Sequence, residues 1–335
     1  MDTMKVTVLG CGTWGSTLTK TLSGNGHKVT AWHHDPKKVD TMSATYKHPH
    51  LAGFEFPRVV SFEPDLSKSL RSADFAVIAV PSHVVRSVMT SARDSLLKET
   101  IIVNVAKGIE NDTLLTMSKV IQETTNHGLD KIVSLYGPSH AEEVIKFQPT
   151  TLVSASYSLY SAERVQTLFS SRNLRVYTNS DIMGVEIGGS LKNIIAIAAG
   201  ICDGINYGDN TKAALLTRGI AEISRLGLAM GARAETFSGL SGIGDLIATC
   251  LSRYSRNRFV GESIGQGKKL KEVLDEMDMV AEGIKTAQSV HDLKLKYAVE
   301  MPISDAVYKI LFHDLNPREA VVNLMTRSLI KEGLN

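Results

Sequence analysis

The chain has 335 residues, of which 43% are hydrophobic and 21% charged, and 37 basic against 35 acidic side chains leave a net charge of +2. That balance excludes a strong global field drawing the protein toward nucleic acid or a membrane surface, and the length accommodates two domains, each with a core of its own. Three cysteines, Cys11, Cys202 and Cys250, lie far apart with no CxxC pair, which excludes a disulfide scaffold and points to a reducing, cytoplasmic compartment.

The first element is a β-branched, apolar strand at residues 5–9, entered so early that no room remains for a signal peptide. It runs into Gly10-Cys11-Gly12-Thr13-Trp14-Gly15, then a helical pattern through Thr17, Leu18 and Leu22 that stops at Asn25-Gly26. A second strand at 28–32 leads to Asp35, twenty residues beyond Gly15. Strand, GxGxxG, helix, strand and acid form the layout of a dinucleotide-binding βαβ unit. In that layout Gly10 permits the turn, Gly12 lets a pyrophosphate approach the backbone, and Gly15 lets helix and strand pack closely. The helix N-terminus offers N–H groups and positive dipole to the phosphates.

Further strands are expected at 75–80, 101–105, 132–135, 151–153 and 174–177, with helices at 82–95, 113–125 and 162–170 between them. Residues 46–60, with Pro49, Gly53 and Pro57, read as an irregular excursion. Alternation of this kind predicts a Rossmann-like, mostly parallel sheet with helices on both faces, an α/β domain over residues 1–181. From there the pattern becomes helical, at 183–205, 212–230, 282–297, 303–311 and 317–331, predicting an all-α C-terminal domain over 182–335. The longest apolar runs, such as 194–202, fall short of the ~18 residues a membrane helix needs, so no membrane insertion is expected.

Ligands of such sheets sit beyond the carboxyl ends of the strands. Pro81-Ser82, Lys107-Gly108 and Gly137-Pro138-Ser139-His140-Ala141 all follow predicted strands, and Lys107 is either a cleft residue or a solvated strand end. In the helical half, Glu186-Ile187-Gly188-Gly189-Ser190-Leu191-Lys192-Asn193 sits in a strongly apolar helix, where a lysine and an asparagine need partners. Lys192 is either paired with Glu186 or desolvated beside a cleft as a general acid or base. The glycine pair predicts close approach of another backbone or a ligand. Asp245, after a glycine turn, is a helix cap or a site residue that shares a helix face with Thr249. Ser255-Arg256-Asn257 offers a hydroxyl, a guanidinium fork and an amide suited to a phosphate monoester, or else a solvated basic loop. Too few stacking aromatics accompany it for nucleic acid. His33-His34 and His48-Pro49-His50 lack the companions of a zinc site, and no metal is expected.

Together these segments resemble the NAD(P)-dependent sn-glycerol-3-phosphate dehydrogenases of bacterial type. The likeness extends through Val280-Ala281-Glu282-Gly283, Pro317-x-Glu319-Ala320 and Leu324-Met325-x-Arg327, covering nearly the whole chain. The resemblance implies reversible reduction of dihydroxyacetone phosphate to sn-glycerol 3-phosphate for phospholipid synthesis, with NAD or NADP as cofactor and a small phosphate as substrate. It gives Lys192 the general acid/base role, and Lys107, Asn193, Asp245 and Thr249 the orienting of the reacting end. Lys107, Gly137, Ser139, Lys192, Asp245, Ser255, Arg256 and Asn257 fall at substrate positions. Gly10, Gly12, Thr13, Trp14, Gly15, His33, His34, Lys107, Ala141, Arg256, Val280 and Glu282 fall at cofactor positions. Where bacterial members commonly carry an arginine after the second strand this chain has His33-His34, so cofactor preference stays open between Asp35 gripping an NAD ribose and Lys37 and Lys38 attracting a 2′-phosphate. A ketopantoate-type reductase would leave Ser255-Arg256-Asn257 without a purpose, and a non-catalytic dinucleotide sensor would need neither Lys107 nor Lys192. The apolar faces of the helical half predict a homodimer.

Overall fold

The computed structural model describes residues 2–51, 53–277, 280–329 and 331–332. It divides into two compact units, residues 1–106 with 117–182, and residues 107–116 with 183–335. The stretch 107–116 therefore belongs with the second unit although it lies among the first 181 residues.

The first unit is built on one eight-stranded sheet, β1 (Lys5–Leu9), β2 (Lys28–Trp32), β3 (Ser61–Glu63), β4 (Phe75–Ile78), β5 (Ile101–Asn104), β6 (Ile132–Tyr136), β7 (Thr150–Ala155) and β8 (Leu174–Asn179). Their order is β3-β2-β1-β4-β5-β6-β7-β8. All pairs are parallel except β6 with β7. β4 and β5 are buried along their whole length, which is why their sequences are continuous apolar runs rather than alternating ones. The chain order reverses between β1 and β4, so the glycine turn after β1 lies at the switch point of the sheet, where such folds bind ligands.

The sequence pattern missed β3, a three-residue edge strand too short to display a period, and the Pro36–Thr45 helix, whose start is marked by Asp35 and Pro36. Residues 46–60 are not a plain excursion. They carry an antiparallel bridge between Lys47 and Glu55, and Phe54, Phe56 and Val60 pack with Cys11, Ala31 and Met42 into a small core.

Among its described residues the second unit is helical, save for one bridge between Ile109 and Thr116. Its core centres on the Ile182–Gly204 helix, where Ile194, Ile195 and Ile197 are fully buried. This helix corrects the expectation that no segment is long and apolar enough to span a membrane. It has 23 residues and is apolar enough, and its most apolar 18-residue stretch is wholly buried inside the fold. The sequence count stopped at Lys192 and Asn193, whereas the helix continues through them. The predicted helix at 317–331 ends earlier, at Met325. Ile330, within that expected span, lies outside the described residues.

Glycines set the helix packing here. A Cβ on Gly200 or Gly204 would collide with backbone of the Arg256–Gly265 helix, and one on Gly261 or Gly265 with backbone of the Ile182–Gly204 helix. At Gly188 a Cβ would come within 2.6 Å of the Ser241 carbonyl oxygen, the close approach its sequence context predicted.

Glu222, on the Asp209–Ala229 helix, is buried and accepts from the backbone N–H groups of Ile303 (2.6 Å) and Ser304 (3.1 Å) and from the Ser304 hydroxyl (3.0 Å). It thereby caps the Pro302–Phe312 helix from outside. Burial pushes its pKa up to about 7 against the pull of those donors. The folded state thus holds a proton that the unfolded chain has released, and the stability Glu222 contributes fades as pH rises through about 7. Glu222→Ala is expected to cost about 2–4 kcal/mol near pH 5, from three orphaned donors, and less near pH 8, as read by denaturant unfolding. An equal cost at both pH values would contradict that linkage.

Candidate active site

The glycine turn has the shape of a dinucleotide cradle. Gly10 adopts φ +117°, and a Cβ there would sit 2.6 Å from the Ala79 carbonyl oxygen beyond β4. A Cβ on Gly15 would strike the Gly10 carbonyl. Gly12 differs: it is the N-cap of the Thr13–Gly24 helix, and a Cβ on it would meet nothing within 4 Å. Two glycines therefore exist for the fold, while the third leaves open space at a helix N-terminus without an acidic residue in its first turn. A pyrophosphate fits that space.

Beyond β2, His33 and His34 stack at 4.5 Å between ring centroids. Burial foremost, with His34 and Lys38 adding to it, lowers the pKa of His33. The Asp35 carboxylate accepts from the Lys37 N–H at 2.9 Å and caps the Pro36–Thr45 helix, so one of its oxygens is committed locally. Gly137, with φ +138°, follows β6, and the Ser139 hydroxyl donates to its carbonyl at 3.0 Å. Ala141 opens a short helix behind them.

The second unit gathers the charged residues singled out above. Asp245 is 1% exposed and accepts from two ammonium groups, Lys192 Nζ at 2.5 Å on Oδ1 and Lys107 Nζ at 2.6 Å on Oδ2. Lys192 also donates to Thr249 Oγ1 at 2.7 Å, and that hydroxyl donates to the Asp245 backbone carbonyl at 2.7 Å. Lys192 thus pairs with Asp245 and not with Glu186, which lies six positions away on its helix and therefore on another face. Asp245 is not the cap of its helix either. Gly244 holds that place at the end of a π-wound turn, Leu240–Gly244, broken at Gly242, and Asp245 is the first residue of Asp245–Leu251. There the helix dipole adds to the attraction for negative charge.

Two ammonium groups share one carboxylate, so the cluster carries net positive charge in a buried place. Burial is the largest influence on Lys192 and pushes its pKa down to about 8; Asp245 pulls it up, and the Lys107 ammonium pushes it down again. Asp245 is driven upward by burial, but the two lysines outweigh that and hold its carboxyl below the usual carboxylate range. Lys107, far from a solvated strand end, has only 17% of its side chain exposed.

Next to this cluster in sequence, Asn193 Oδ1 accepts from Asn257 Nδ2 at 3.0 Å, and Asn257 Oδ1 accepts from the Gly283 N–H at 2.9 Å. Ser255 caps the Arg256–Gly265 helix, so the alternative of a solvated basic loop gives way to a helix N-terminus. Arg256 is exposed, and its Nη1 donates to the Val280 carbonyl at 3.0 Å. Glu282 opens the Glu282–Tyr297 helix just beyond. The described residues include no group of three or more His, Cys, Asp or Glu side chains that could hold a metal ion.

Profiles of NAD-dependent glycerol-3-phosphate dehydrogenase match the chain, the N-terminal part over residues 5–162 and the C-terminal part over 181–322. The chain belongs to that family. It is 50% identical over 331 residues to glycerol-3-phosphate dehydrogenase (NAD(P)+) of Chlorobium phaeobacteroides, covering 98% of this chain and 99% of that one. The enzyme of the same name from Clostridium perfringens is 49% identical over 332 residues, with the same coverage. Among solved structures, glycerol-3-phosphate dehydrogenase of Coxiella burnetii superposes with a TM-score of 0.93 at 35% identity, covering 97% of this chain and 99% of that one. A ketopantoate reductase from Ralstonia eutropha shares the fold alone, at a TM-score of 0.61 and 16% identity.

Proposed function

We propose that this protein catalyses the reversible NAD(P)-dependent reduction of dihydroxyacetone phosphate to sn-glycerol 3-phosphate, the precursor of glycerophospholipids. Family membership over both halves supports the reaction. The observation that carries the mechanism is the Lys107–Asp245–Lys192 cluster, with Lys192 held near a pKa of about 8. When bound at Gly10, Gly12, Thr13, Trp14 and Gly15, with His33, His34, Ala141, Val280 and Glu282 as further contacts, the nicotinamide dinucleotide supplies the hydride that reduces C2. Lys192 gives the proton to the C2 oxygen in reduction and takes it back in oxidation, a transfer that a pKa near 8 suits in both directions. Asp245 and Thr249 aim its ammonium, and Lys107 adds positive charge where oxyanion character develops. Asn193 and Asn257, locked by their mutual hydrogen bond, orient substrate hydroxyl and phosphate oxygens. Gly137, Ser139 and Ser255 hold the same substrate, and Arg256 supplies a forked guanidinium for the phosphate.

Three buried free cysteines support a cytoplasmic setting. The exposed apolar side chains of Phe312, Val322 and Met325 support a homodimer, which sedimentation velocity tests.

The deciding experiment is dihydroxyacetone phosphate-dependent loss of nicotinamide absorbance, run with NADH and NADPH in parallel. With no arginine at the end of β2 and Asp35 committed to a cap, the two efficiencies are expected to agree within about tenfold, or ~1.4 kcal/mol. A ratio beyond about a hundredfold would overturn the account of His34 and Asp35, and no turnover with either cofactor would overturn the activity.

A further inference from the structure

The segment 46–60 breaks the βαβ alternation, yet it reaches back to the turn between Gly10 and Gly12. His48 is 6% exposed, flanked by the rings of Phe54 and Phe56 at 6.1 and 6.5 Å, and its Nε2 lies 3.0 Å from the Cys11 carbonyl oxygen. Its other ring nitrogen, Nδ1, accepts from the His50 backbone N–H at 3.1 Å. A nitrogen that accepts carries no proton, so the proton of the neutral ring is on Nε2, which donates to Cys11. Burial first, with His50 adding to it, lowers the His48 pKa against the pull of the Cys11 bond and keeps the ring neutral.

The Cys11 carbonyl is half of the Cys11–Gly12 peptide, whose other half is the Gly12 N–H. The peptide is trans, so when the carbonyl points at His48 the N–H points from the opposite edge of the same plane. The strand side is pinned as well, since the Gly10 N–H donates to the Trp32 carbonyl at 3.0 Å and the Cys11 thiol reaches that carbonyl at 3.4 Å. Left alone, a peptide between two residues of which one is glycine rotates easily.

We propose that His48 is a positioning residue for the dinucleotide: by holding the Cys11 carbonyl it fixes the Gly12 N–H in the direction that the pyrophosphate requires. The proposal rests on the glycine turn being the dinucleotide site, and it gives the aromatic segment 46–60 the task of carrying this one imidazole.

The test is equilibrium binding of NADH and of ADP-ribose, which share the pyrophosphate, to the whole chain by quenching of its tryptophan fluorescence. Wild-type protein that binds neither ligand would overturn the dinucleotide site itself. Given wild-type binding, His48→Phe keeps an aromatic ring among Phe54 and Phe56 but lacks the donor. It is expected to weaken both ligands by the same factor of about ten, the scale of one net hydrogen bond, with kcat at saturating NADH and the KM for dihydroxyacetone phosphate unchanged. His48→Gln, whose amide nitrogen replaces Nε2, is expected to bind within about threefold of wild type. His48→Asn, whose amide falls short of Cys11, is expected to match His48→Phe and serves in its place if the phenylalanine variant does not fold. Wild-type affinity in His48→Phe or His48→Asn would overturn the proposal. So would weakening of NADH without ADP-ribose, or a glutamine variant as weak as the other two.

Discussion

Lys192→Met is expected to lower kcat by about 10²–10⁴-fold, the usual worth of a positioned general acid, while NADH still binds and the protein stays folded. Methionine fills much of the same volume, and it removes an ammonium whose burial is costly. Asp245 keeps its second partner, Lys107, so no carboxylate is stranded. The pH dependence carries a sign that a merely structural lysine would not produce. Reduction needs Lys192 protonated, so its rate is expected to be level below about pH 8 and to fall above it; oxidation needs the neutral amine and rises over the same interval. Steady-state rates in both directions across pH 6–10 check this. A methionine variant with near wild-type kcat, or two limbs of the same sign, would remove Lys192 from the chemistry.

Asp245→Asn is expected to cost more in stability than any surface change, about 3–5 kcal/mol, because it leaves the buried Lys192 ammonium and the part-buried Lys107 ammonium facing a neutral amide. Relief comes through deprotonation. Without the carboxylate the one strong influence raising the Lys192 pKa is gone, so the falling limb of the reduction profile is expected to move to lower pH. Denaturant unfolding near pH 7 and the reduction profile together test this. A stable variant with an unshifted limb would mean that Asp245 neither anchors the cluster nor tunes it.

Much of this was legible in the chain because periodic burial writes itself into sequence. The 282–297 helix carries a clear period, the central strands stand out as continuous apolar runs, and the glycine fingerprint names its own turn. β3 and the Arg256–Gly265 helix were less visible, one too short for a period and the other opened by polar residues that read as loop. For the charged residues, side-chain types and spacing suggested partners without choosing among them. Lys192 had Glu186 nearby in sequence, but its partner comes from 53 positions away, and only the fold brings Asp245 to it. The bond from His48 to Cys11 spans 37 positions and left no local mark. A histidine before a proline reads the same whether it orients a peptide or fills a core.

The glycines that join the Ile182–Gly204 and Arg256–Gly265 helices have a consequence for what the enzyme admits. Lys192 rides on one helix, and Arg256 and Asn257 on the other, with main chain pressed on main chain between them. Side chains can change rotamer to widen a gap, but two backbones in contact have nothing left to rearrange. If the lysine meets C2 and the second helix meets the phosphate, main-chain contact makes the spacing of the two helices a ruler graduated in carbon atoms, against which a three-carbon phosphate is measured.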